Sequence, residues 1–141
     1  MSTTTDATIG TLNARHGLTL TTDYTDDLTI PVLSGLQRQG DVMVLAAPGA
    51  SAVTPVPAAG CPVVRGENGG NTHSIYTSDA GVCCDTTTPT PGNLIVARLA
   101  VPAGAVAYLG HPEHGYLGIG TGTYELRRQR EQADELRMVA D

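Results

Sequence analysis

The chain has 141 residues, enough for one ordinary domain with its own core, and carries a formal net charge of -6. Phe and Trp are absent and the basic residues are all Arg, so the interior must be built from Val, Leu, Ile, Ala and a few Tyr bodies. No basic cluster is left unbalanced, no apolar run approaches a membrane span, and MSTTTDATIG lacks the parts of a signal peptide; nucleic-acid partners, membrane insertion and secretion are disfavoured, and cytoplasmic synthesis is expected.

Residues 1–38 differ from the rest. Ten of the first thirty residues are Thr, and apolar residues are sparse before LTIPVL at 28–33. Such a composition cannot bury much, and Thr-rich GLTLTTDYT suits an edge strand. The expectation is an extended N-terminal arm over 1–38 that docks on its own domain or a neighbour, with Leu18, Leu20, Tyr24, Leu28 and Ile30 as its apolar contacts. A β-rich domain over 39–141 follows.

In that domain Val42–Ala46 reads as a strand closed by Pro48-Gly49, and Pro55 and Pro57 make 50–60 a loop. CPVVRGE and THSIYT flank Asn68-Gly69-Gly70-Asn71, a hairpin signal. NLIVARLAV at 93–101 is the most hydrophobic strand, Pro102-Ala103-Gly104 turns it, and AVAYLG follows. GYLGI and TYELRRQRE are predicted as strands joined across Gly120-Thr121-Gly122. In the second of these, Tyr124 and Leu126 share a face, and nearby acids are expected to pair with the arginines. The tail ADELRMVA reads as a short helix needing a docking surface. The fold class predicted is all-β: a small sandwich, jelly roll or barrel of about seven or eight short strands.

Chemistry concentrates in histidines. His111 and His114 bracket Glu113 in a proline-restrained loop, so these side chains can converge on one ion, and imidazole with carboxylate suits a divalent transition metal. Two imidazoles are too few, so His73 and Glu67, at either end of GENGGNTH, are the expected further ligands. This His/Glu set resembles, in residue type, that of cupin-like β-barrels. His16 lies alone in the arm. No catalytic residue is identified: there is no G-x-S-x-G elbow or cysteine-protease neighbourhood, and GIGTGT leads into a strand pattern rather than the helix a phosphate loop requires. Cys61, Cys83 and Cys84 are expected as reduced thiols, since adjacent cysteines seldom pair.

Taken together, GDV (40–42), GENGGNTH (66–73), HPEHG (111–115) and GTYELRRQRE (122–131) resemble a group of short uncharacterised bacterial and bacteriophage proteins, over roughly residues 39–141. Members typically show GDV, then G-E-x-x-G-H-x-H, H-x-E-H-G and G-x-Y-E-x-x-R-Q-R-E. Asn71 stands here where the group often has the first His of its central pair. The resemblance implies no established activity, but it brings an association with phage genomes. The Gly/Ala/Thr-rich, aromatic-poor composition is also similar to that of small capsid-decorating proteins.

Two functional expectations follow. The first is a non-enzymatic assembly protein whose arm adds to sister or shell subunits, as a homo-oligomer associated with a virion. The second is a metal-binding domain using His73, His111 and His114 with Glu67 or Glu113.

Overall fold

The computed structural model describes residues 7–20, 26–65, 72–88 and 90–128. In chain order the elements are α1 (Ile9–His16), β1 (Val32–Leu33), β2 (Gln37–Gln39), β3 (Val42–Ala46), β4 (Cys61–Val64), β5 (His73–Tyr76), β6 (Cys83–Thr86), β7 (Ile95–Val101), β8 (Ala107–His111), β9 (Gly115–Ile119) and β10 (Gly122–Arg128). They form two five-stranded sheets, ordered β1-β9-β8-β5-β4 and β2-β3-β10-β7-β6. All neighbours are antiparallel except β1, which runs parallel to β9.

The alternation expected of half-buried strands fills the space between the sheets. β3 turns Val42 and Val44 inward, and β10 turns Tyr124 and Leu126 inward; they meet Ile75, Leu99, Leu109 and Ile119 in one cluster. Every residue of β5 and β8 is buried, because the sheet that contains them is covered on both faces. On the outer face of that sheet, Ile9, Leu12 and Ile30 pack with Val106, Tyr108 and Tyr116.

The fold is therefore all-β in the main, but several expectations need correction. Among the described residues the sheets keep open edges, so they form no closed barrel, cupin-like or otherwise, and they hold ten strands rather than seven or eight. The strands expected on either side of Gly120-Thr121-Gly122 are found as β9 and β10; they belong to different sheets, so 120–121 is a crossover, while a hairpin joins β8 to β9 through Pro112–His114. A short glycine-containing connection serves either purpose, and only the partner of each strand decides between them.

The leader also departs from an extended arm. Thr8 caps α1 by accepting the Thr11 N–H, and Gly17 ends it at φ 71 with its N–H bonded to Asn13 O. An eight-residue helix is not stable alone in water; burial of Ile9 and Leu12 at roughly 1.5–3 kcal/mol each offsets its nucleation cost. Tyr116 Oη donates to Asn13 Oδ1 at 2.7 Å, and the His16 ring lies 5.0 Å from that of Tyr76. After α1, residues 17–20 are not a strand, although Leu18 and Leu20 pack against the same outer cluster. The helix of the described chain thus lies near its N-terminus; the C-terminal tail for which a helix was expected lies outside the described residues.

Of the arm's predicted contacts, Ile30 is buried in its own domain, Leu18 and Leu20 are half-buried there, Leu28 is 47% exposed, and Tyr24 lies outside the described residues. Next to them β1 approaches β9 so closely that a side chain at Gly118 would stand 2.5 Å from Pro31 O.

Candidate functional site

Several turns and strand ends meet at one end of the sandwich. The β2–β3 hairpin turns through Gly40 and Asp41, since Gln39 pairs with Val42. Gly40 has φ 58, the left-handed conformation such a two-residue turn demands at its first position, so the GDV motif is a hairpin turn. The start of β5 brings His73, the β8–β9 turn brings His111, Glu113 and His114, and the end of β10 brings Arg128. Arg128 pairs with Val42, which sets its side chain beside Asp41.

The three histidines singled out by spacing come together. Ring centres are 4.3 Å apart for His73 and His111, 4.5 Å for His111 and His114, and 5.9 Å for His73 and His114, the last pair nearly parallel at 12°. His73 and His111 are buried and His114 is exposed. A side chain at Gly40 would lie 2.9 Å from His114 Nε2 and 3.5 Å from His73 Cε1; the missing Cβ leaves room for both rings over the turn. Glu113 is exposed on the same turn, and Glu67 lies outside the described residues.

The hydrogen bonds assign the tautomers. Gln39, almost wholly buried, donates from Nε2 to Leu109 O and Gly115 O at 3.1 Å each, which turns its Oε1 toward His73. That oxygen only accepts, so His73 Nδ1, 3.0 Å away, carries the proton and donates it. The neutral ring therefore keeps its lone pair on Nε2, which faces Asp41 Oδ1 at 3.6 Å. Asp41 Oδ2 in turn accepts from Arg128 Nε at 3.1 Å. His111 is held the other way round: its Nδ1 accepts the backbone N–H groups of Glu113 at 3.0 Å and His114 at 3.3 Å, so its lone pair shapes the turn.

Burial sets the charge of these rings. Desolvation, followed by repulsion from His111, lowers the His73 pKa to about 4, against the opposing pull of Asp41. His111 is lowered as well, first by burial and then by His114, with Glu113 and Asp41 pulling the other way. At neutral pH both buried rings are uncharged, the form in which imidazole ligates a metal. Among the described residues, no three His, Cys, Asp or Glu side chains form a ready metal cage as they stand. The bonded Nδ1 of His111 is a physical reason, because ligation through its Nε2 would need a proton where two N–H groups now point.

Asp41, Gln39 and Arg128 were missed from sequence. The signal that could have found Asp41 is the GDV turn, which places a carboxylate after a glycine. Gln39 gives no such signal, because its partners lie 34 to 76 residues away. The expected pairing of arginines with acids holds for Arg127 with Glu125 at 2.9 Å, while Arg128 takes Asp41. Cys61, Cys83 and Cys84 are free thiols.

No helix of the described residues is long and apolar enough to cross a membrane. No curated protein and no solved structure matches the chain. A family model does match over residues 38–129, which contain both sheets except β1 and the first residue of β2, and all the residues of the histidine end, while leaving out α1. The chain belongs to the family described as Domain of unknown function (DUF8820).

Proposed function

We propose that this domain binds a divalent transition metal at the histidine end of the sandwich, with His73 and His114 as imidazole ligands. The observation that carries the proposal is the meeting of three imidazoles from the start of β5 and the β8–β9 turn, one of them held by a buried amide that leaves its Nε2 lone pair facing Asp41. A metal-bound imidazole commonly donates its other N–H to an oxygen, as His73 does to Gln39. Metal–nitrogen bonds of about 2 Å put two cis ring centres about 5 Å apart, and the His73 and His114 rings stand 5.9 Å apart, within a small side-chain shift of that value. The rearrangement that loading requires falls on His114, the exposed ring on the turn. His111 supports that turn from within.

The alternative proposal, an assembly protein of a phage shell, drew on a leader with nothing of its own to pack against. Ile9, Leu12 and Ile30 do bury against their own sheet, so no specific observation now favours that proposal over metal binding.

Elemental analysis of protein purified without chelator, joined to a Co2+ titration of the chelator-treated protein, tests metal binding. About one ion per chain is expected, lost in the His73→Ala plus His114→Ala variant while the thermal transition persists. No bound metal in any preparation, and no Co2+ spectrum, would overturn it.

A further inference from the structure

Resting on that metal proposal, we infer that Asp41 is the third protein donor, and that Arg128 is the cation which the incoming metal displaces from it.

Asp41 uses its two oxygens on two different groups. Oδ1 faces the lone-pair nitrogen of His73 at 3.6 Å, and Oδ2 is bonded by Arg128 Nε at 3.1 Å. A carboxylate oxygen and an imidazole lone pair are both acceptors, and acceptors gain nothing from facing each other unless a positive centre lies between them. With Nδ1–H committed to Gln39, a cation between Nε2 and Oδ1 is the arrangement that satisfies both. Two imidazoles and one carboxylate then form a mixed nitrogen–oxygen donor set, of the type that takes divalent first-row metals and leaves positions open.

Arg128 neutralises Asp41 from Oδ2 in the metal-free chain, and an ion bound at Oδ1 of the same carboxylate brings a second positive charge next to the guanidinium. A divalent ion beside a guanidinium is repelled by it, so loading and the Arg128 bond oppose one another. The displaced side chain has somewhere to go: Arg128 borders a groove of about 550 Å³ with Met43, Asn93, Leu94 and Ile95. Loading therefore acts on the last residue of β10 and favours release of its side chain from the β2–β3 turn.

Co2+ titrations of the chelator-treated wild type, Asp41→Asn and Arg128→Gln test this, with thermal unfolding of each variant showing that the fold is kept. Asp41→Asn should weaken Co2+ binding at least about 10-fold, and Arg128→Gln should tighten it several-fold. If the pair merely braces the turn, both substitutions weaken binding alike, and the inference is wrong. Wild-type binding that Asp41→Asn leaves unchanged also overturns it, while the metal proposal itself stands. A wild type that takes up no Co2+ removes both.

Discussion

The leader and the histidine end are both more buried than their composition suggests, but the leader reaches burial through aliphatic side chains and the histidine end through polar ones. Residues 7–20 look too polar to fold, yet Ile9 and Leu12 give α1 a buried stripe on the outer face of a sheet. The histidine end looks like a run of exposed turns, yet it encloses His73, His111 and Gln39, all nearly wholly buried. Local composition averages over a segment, whereas burial depends on a few positions and on what faces them. Two well-placed aliphatic side chains suffice to order the leader. One buried amide with three correctly placed partners suffices to hold a polar cluster.

That contrast can be broken most strongly at Leu12. Its side chain is fully buried, so Leu12→Ala should cost about 2–4 kcal/mol in urea unfolding if the leader melts together with the sheets. An unchanged midpoint would make the leader an independent appendage after all.

Acid sharpens the other half. The folded His73 pKa, about 4, lies below the 6.5 of the unfolded chain, so the unfolded state binds the extra proton between these values. Stability of the metal-free protein is then unaffected by this ring above about pH 6.5 and falls as pH drops toward 4, by up to about 3 kcal/mol. His111 and His16, both lowered by burial, act in the same direction. Unfolding free energies measured from pH 7 to pH 4 check the slope; a flat profile would mean that the cluster is wetter than its burial indicates.

The smallest effect is expected at Tyr116→Phe. It removes the bond to Asn13 that fastens α1 while keeping the ring in the outer cluster, and should cost about 0.5–1.5 kcal/mol. Hydrogen exchange confined to residues 9–16 would show whether that loss is felt by the helix alone.

The strand class was legible because Tyr124 and Leu126 alternate with polar neighbours, because Val42–Ala46 is a short apolar run of strand length, and because turn residues separate most strands. The meeting of His73 with His111 and His114 was legible from two turn motifs that each carry ligand-type side chains. The helix was hidden by threonine content, although Thr8 and Gly17 mark its two ends. Asp41 and Gln39 were hidden for a different reason: a polar residue in a hairpin is normally solvated, and only the tertiary fold sets β8, β9 and β5 over this one. β1, with two residues, and β2, reading Gln-Arg-Gln, carry no apolar alternation to announce them.

The family match begins at residue 38, after both α1 and β1. Stripped of everything before that point, this domain would present Val106, Tyr108 and Tyr116 as a bare oily plate on the β8–β9 hairpin. Any relative built without such a cover must either recolour those three positions with hydrophilic side chains or lend the plate to a companion. Which solution evolution took can be read from the three matching letters in each relative's sequence.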